Sequence, residues 1–166
     1  MEHIKSSEDG LEIDAYLRYL RTNASKMPRG AREFALAPWH YDYDHHQCPH
    51  DSWLDKVTVS EIGTGPRNAS RRISILARFL GAYHDGHFDI EYSGVSSYQI
   101  EHKDIPTTIS GKEFQFPRSL SGHGDWYIDE VSLTRDGDVC HEIVFANGST
   151  WQIVCADLIY SWQPIA

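Results

Sequence analysis

The chain of 166 residues contains no run of about 18 apolar residues, which excludes a membrane-spanning helix. It has no basic excess either. Lys and Arg number 15 against 24 Asp and Glu, for a net charge of −9, and the largest basic group is the pair Arg71-Arg72. Phosphate neutralisation supplies most of the affinity of a duplex-binding protein, so nucleic acid is not the expected partner. Cysteine is scarce: Cys48, Cys140 and Cys155 are the whole set. No basic-then-apolar leader precedes a small-residue cleavage site, so the expectation is a cytoplasmic protein with reduced thiols. Two enzyme signatures are missing as well. There is no Gly-x-Ser-x-Gly elbow, and Gly63-Thr64-Gly65-Pro66 has too few glycines and no following Lys for a phosphate loop.

What is present is aromatic and histidine-rich. Five Trp, nine Tyr and ten His sit in a chain that is 40% hydrophobic. The acidic balance suits a basic protein partner or plain solubility. Residues 1–50 read as a helical and histidine-rich lead-in. Leu11, Tyr16, Leu17 and Leu20 fall near helical spacing, with Ser7 or Asp9 as the expected cap, and a second short helix is expected over 31–36. From Asp51 onward the pattern changes to strands: 53–62, 72–83, 87–94, 98–102, 126–134, 139–146 and 150–159. The expected fold is a single α+β domain over 1–166. In it, an N-terminal helical region precedes a mostly antiparallel β-meander of about seven strands, as two layers or a curled sheet.

Asp85-Gly86, Asp136-Gly137 and Asn147-Gly148 are the hairpin signals. A two-residue turn at Asp85-Gly86 opposes Tyr83 to Phe88 and Phe79 to Tyr92. That register puts Ile73, Ile75, Phe79, Tyr83, Phe88, Ile90 and Tyr92 on one face. Arg78, His84, His87, Asp89 and Glu91 fall on the other. The same count at Asn147-Gly148 opposes Cys140 to Cys155. It groups Cys140, Val144, Trp151, Ile153 and Cys155 on one face, and Val139, Ile143, Phe145 and Val154 on the other. At Asp136-Gly137 it opposes Ser132 to His141. Two buried thiols are preferred to a disulfide, because the pair would be hydrogen-bonded and its side chains farther apart.

Three clusters invite chemistry. His40, His45, His46, Cys48, His50 and Asp51 fall within twelve positions, suited to zinc with a ligand from elsewhere; the preferred reading is a surface loop anchored by Trp39, Tyr41 and Tyr43. His84, His87 and Asp89 share the polar face of a hairpin end, a pattern known from iron sites, or a solvated turn. Gly122-His123-Gly124-Asp125 exposes an imidazole as a base, or forms a loop-to-strand turn. The metal candidates are thus His45, His46, Cys48, His50, His84, His87 and Asp89, for Zn or Fe. No catalytic residue is assigned, and no cofactor is expected in the leading reading.

His50-Asp51-x-x-Leu54, Gly94-Val95-x-x-Tyr98, His141-Glu142-Ile143 and Cys155-x-Asp157-x-Ile159 resemble a group of small bacterial proteins. Several of that group are encoded as immunity proteins beside polymorphic toxins, and the similarity spans roughly residues 50 to 160. The resemblance implies a binding role and brings no catalytic residues with it. The leading expectation is therefore a non-enzymatic module that neutralises a basic toxin domain through an acidic, aromatic-rich surface. Its candidate contacts are Trp39, His40, Tyr41, Asp42, Tyr43 and Asp44, with Asp89 and Glu91. The alternative is a metal-binding enzyme or regulator built on the clustered histidines.

Overall fold

The computed structural model describes residues 1–7, 10–103, 107–109, 112–114 and 122–165. The protein is α+β, and every strand pairing is antiparallel. A small ribbon, β1 (Lys5–Ser7) with β2 (Gly10–Glu12), leads into helix α1 (Asp14–Asn23). Helix α2 (Arg29–Ala35) follows. The expected cap at Ser7 is corrected: Ser7 lies in β1, and α1 starts at Asp14 behind Ile13, which makes no side-chain cap bond. The other expected cap, Asp9, lies outside the described residues. Tyr16 and Leu20 are the buried stripe of α1.

The strands are β3 (Trp53–Thr64), β4 (Ser70–Leu80), β5 (Gly86–Val95), β6 (Ser97–Glu101), β7 (Thr107–Ile109), β8 (Lys112–Phe114), β9 (Trp126–Leu133), β10 (Val139–Phe145), β11 (Thr150–Cys155) and β12 (Asp157–Pro164). Strands β7 and β8 form a ribbon of their own. Eight of the others make two four-stranded sheets, ordered β12-β5-β4-β3 and β6-β11-β10-β9. The count exceeds the seven expected for two reasons. Three-residue ribbons carry no readable periodicity, and the expected strand 150–159 breaks at Ala156.

That break builds the architecture. β5 runs into β6 and β11 into β12, so one long ribbon pair belongs to both sheets. The ladder continues through the corner, where the Ala156 N–H donates to the carbonyls of Ser93 (2.9 Å) and Gly94 (3.2 Å). Gly94 has φ +60°, and a Cβ there would stand 3.0 Å from that of Ala156, so the corner needs two minimal side chains. The expected meander is therefore corrected: the last ribbon returns to lie against the middle one. The sheet curls until its outer strands meet. Asp51 N–H donates to the Trp126 carbonyl (2.8 Å), Trp126 N–H to that of Ser52 (2.9 Å), and Trp53 bridges Asp125.

The inside of the curl holds Ile75, Ala77, Phe79, Phe88, Ile90 and Tyr92 from one sheet, all fully buried. Trp126, Val131, Val139, Ile143, Phe145, Trp151, Ile153 and Cys155 come from the other. The expected β4–β5 faces hold, yet the register does not. Phe79 opposes Phe88 and Arg78 opposes Asp89, because four residues, 82–85, form the loop. The slip is even, so each side chain that stays in a strand keeps its face; Tyr83 and His84 leave, into the loop. At the other two turns the slip is one residue and the expected faces are overturned. Val139 opposes Cys155, Cys140 opposes Val154, and Cys140 rather than His141 opposes Ser132. The loops are Arg135-Asp136-Gly137 and Ala146-Asn147-Gly148, each closed by a glycine at φ +92° or +80°. This is a turn followed by a left-handed residue, one position longer than the two-residue hairpin. Cys140 and Cys155 thus point to opposite faces as free thiols, and Cys48 is also free.

Candidate functional site

The lead-in has a structural task that explains its tyrosines. β9 ends its sheet, and an open strand edge needs its backbone groups satisfied. Side chains do this. The Tyr16 hydroxyl donates to the Val131 carbonyl (3.0 Å) and accepts from the Val131 N–H (2.8 Å), while the Tyr19 hydroxyl accepts from Leu133 N–H (2.8 Å). The Tyr41 hydroxyl donates to the Asp129 carbonyl (3.0 Å), and His50 Nδ1 to that of Tyr127 (2.8 Å). Glu130, on the outward face of β9, accepts from the backbone N–H groups of Glu2, His3 and Ile4 at 2.9–3.2 Å.

Inside β9 lies the most polar point of the core. Asp129 receives His40 Nε2 at 2.9 and 3.0 Å, His141 Nε2 at 3.1 Å and Trp126 Nε1 at 3.3 Å. His40 Nδ1 faces the Phe34 carbonyl at 2.9 Å, so it must donate. With Asp129 ionised, His40 carries both protons. His141 donates from Nε2, and its Nδ1 accepts from the Tyr92 hydroxyl at 2.8 Å, which makes it the neutral tautomer. Burial alone would raise the Asp129 carboxyl. The charge on His40 and the hydrogen bonds from His141 and His40 outweigh it and hold the group well below the ordinary carboxylate range. All three residues are at most 2% exposed. A buried, neutral, satisfied cluster without solvent contact offers no reacting position and acts as a clamp for the loop that carries His40. The expectation that His40 lies on a contact surface is thereby corrected. The sequence signal was available: Asp129 falls on the same face of its strand as Val131 and Leu133, where burial favours an apolar side chain.

From His40 the loop runs to Ser52 through successive i to i+3 backbone turns. Trp39 is half-buried; Tyr41 is half-buried with its hydroxyl inward. Asp42, Tyr43 and Asp44 are exposed. The loop meets the β4–β5 turn. Tyr43 stacks on His50 (4.2 Å) and His46 on Tyr83 (4.3 Å), His46 Nδ1 pairs with Asp85, and Trp53 meets His84 edge-on (4.7 Å). Four large aromatics therefore stand open at one end of the molecule: Tyr43 45%, Trp53 49%, Tyr83 48% and Tyr127 36% exposed. Asp42, Asp44, Asp51 and Asp85 are interspersed among them. Sequence reasoning placed Tyr83 and Trp53 in strands and missed them as surface groups.

The metal candidates do not converge. Among the described residues, no group of three or more His, Cys, Asp or Glu is arranged to hold a metal ion. His45 accepts from Gln47 N–H, and Cys48 donates to the His40 carbonyl. Burial pushes the Cys48 thiol up to about 11, the reverse of what a ligand thiolate needs. The expected hairpin-end set separates too. His84 is a loop residue at φ +56°, whereas His87 lies in β5 opposite Leu80. Asp89 is taken by Arg78 (2.8 and 3.0 Å) and Gln163. Asp89 and Glu91 both lie on the outward face of β5, and Glu91 is exposed. His123 is half-buried, and burial followed by the nearby His102 lowers its pKa.

Among the described residues no helix is long and apolar enough to cross a membrane. In comparisons with known proteins, no protein family and no curated protein matches the chain.

Proposed function

We propose that this protein is a non-enzymatic, protein-binding module of the immunity type, acting in the cytoplasm on a basic toxin domain. The observation that carries the reading is the end patch of Tyr43, Trp53, Tyr83 and Tyr127 set among four aspartates. Exposed aromatics are the side chains that most often anchor protein interfaces, and acidic neighbours steer a basic partner toward them. The patch rests on a loop fixed at both ends, by His40 on Asp129 and by His50 on Tyr127, so little ordering cost remains on binding. The resemblance of residues 50 to 160 to immunity proteins points the same way.

The test is co-expression with the product of the neighbouring gene in a bacterial host. The wild-type chain restores growth, and Trp53→Ala with Tyr83→Ala, both at exposed positions, abolishes protection while the protein stays folded by circular dichroism. A neighbouring product that is harmless alone, or protection undiminished in the double variant, defeats the reading.

A further inference from the structure

A second surface lies at the other foot of the same loop. Between α2 and β12 there is a cavity of about 330 Å³ whose lining includes Arg29, Glu33, Phe34, Trp39, Asp157 and Tyr160. Its wall is a cluster of three rings. Trp39 and Tyr160 have centroids 4.5 Å apart, Phe34 and Tyr160 5.5 Å, and Phe34 and Trp39 6.0 Å. Phe34 is the buried floor, while Trp39 and Tyr160 are half-open. The rings are held from behind, with the Tyr160 hydroxyl donating to the Gln47 carbonyl at 2.9 Å.

The mouth is charged, with two carboxylates to one guanidinium. Asp157 lies on one side, its oxygens receiving the N–H groups of Gly30 (3.1 Å) and Ala31 (2.8 Å). Glu33 lies on the other, exposed, with the Arg29 guanidinium at 2.7 Å. Asp157 is satisfied by backbone N–H groups, but an apolar occupant would strip water from the exposed Glu33 carboxylate and offer it nothing polar in return. A cation over the ring faces answers both the carboxylates and the π-electrons. Arg29 already shows that a guanidinium fits beside Glu33.

We propose that this groove receives an arginine side chain of the protein partner, stacked on Trp39 and paired with Glu33 in exchange for Arg29. The inference deepens the protein-binding reading by naming a group the partner presents. Arg29 is then an internal competitor, so removing it strengthens binding instead of weakening it.

The test is titration of the full chain with a short capped arginine peptide and with its citrulline counterpart, which has nearly the same shape and no charge. The readout is the Trp39 indole N–H resonance. The arginine peptide should shift that resonance and bind on the order of ten-fold tighter than the citrulline peptide. Glu33→Gln should weaken binding several-fold, Arg29→Ala should tighten it, and Glu61→Gln, on the distant β3, should change nothing. Trp39→Phe removes the reporting indole, so its binding is read by calorimetry; it keeps a ring in place and should lower affinity without unfolding. Equal binding of the two peptides, no shift at Trp39, or weaker binding in Arg29→Ala overturns the inference. The two proposals fail separately. If the peptide binds at Trp39 while the Trp53 and Tyr83 double variant still protects, the end patch is wrong and the groove stands; the opposite pair of results removes the groove alone.

Discussion

Asp129 is the residue on which the lead-in and the sheet depend together, since it joins His40 of the loop to His141 of β10. Removing one member of a buried ion pair leaves an uncompensated charge, so Asp129→Asn should cost about 3–5 kcal/mol, read as a lower urea midpoint. Its folded pKa is depressed, so its contribution is present above the unfolded value of about 3.9 and is lost as pH falls below that. Wild-type stability should therefore decline below about pH 4, and Asp129→Asn should flatten that decline. The thiols make a second residue-scale case. Burial pushes Cys48 and Cys140 up to about 11 and Cys155 to about 12. At pH 8 a thiol-specific disulfide reagent should label the native protein at least about 100-fold more slowly than the unfolded chain. Rapid native labelling of any of the three would contradict their placement.

At the scale of elements, two glycines separate lack of space from lack of conformational freedom. Gly30 sits in α2, where alanine ordinarily stabilises a helix by about 1 kcal/mol. Here an added Cβ would stand 2.1 Å from the Leu158 carbonyl oxygen, so Gly30→Ala should destabilise by about 1–3 kcal/mol and push α2 off β12. Gly137 has φ +92° and open space around it, so Gly137→Ala should cost about 1–2 kcal/mol through backbone strain alone. Denaturant midpoints of the two variants test both signs. The same turns show what could be read beforehand. Alternation of Ile75, Phe79, Phe88 and Ile90 named the inner face of β4 and β5, because burial enforces a period of two whatever the loop length. Loop length was not legible: Asp-Gly and Asn-Gly serve the two-residue turn and the longer turn ending in a left-handed glycine alike. One extra residue sent Val139, His141 and Ile143 inward in place of Cys140 and Val144. The end patch was half legible for a related reason. The loop sequence showed Asp42, Tyr43 and Asp44, but Trp53, Tyr83 and Tyr127 join them only once the outer strands of the curl meet.

At the scale of the molecule, the shared ribbons govern how the protein comes apart. β5–β6 and β11–β12 each contribute to both sheets, and residues from Ile4 to Leu158 enter one apolar core. The sheets share continuous strands and one core, so unfolding should be a single transition. Tryptophan fluorescence and far-ultraviolet circular dichroism should give the same midpoint, and a gap between them would show that the sheets melt independently. Because the two ribbons are laced through each other's neighbours, the chain has no seam along which it can be divided. A backbone cut in one loop would leave the pieces interlocked, travelling as one particle on a sizing column until denaturant releases them.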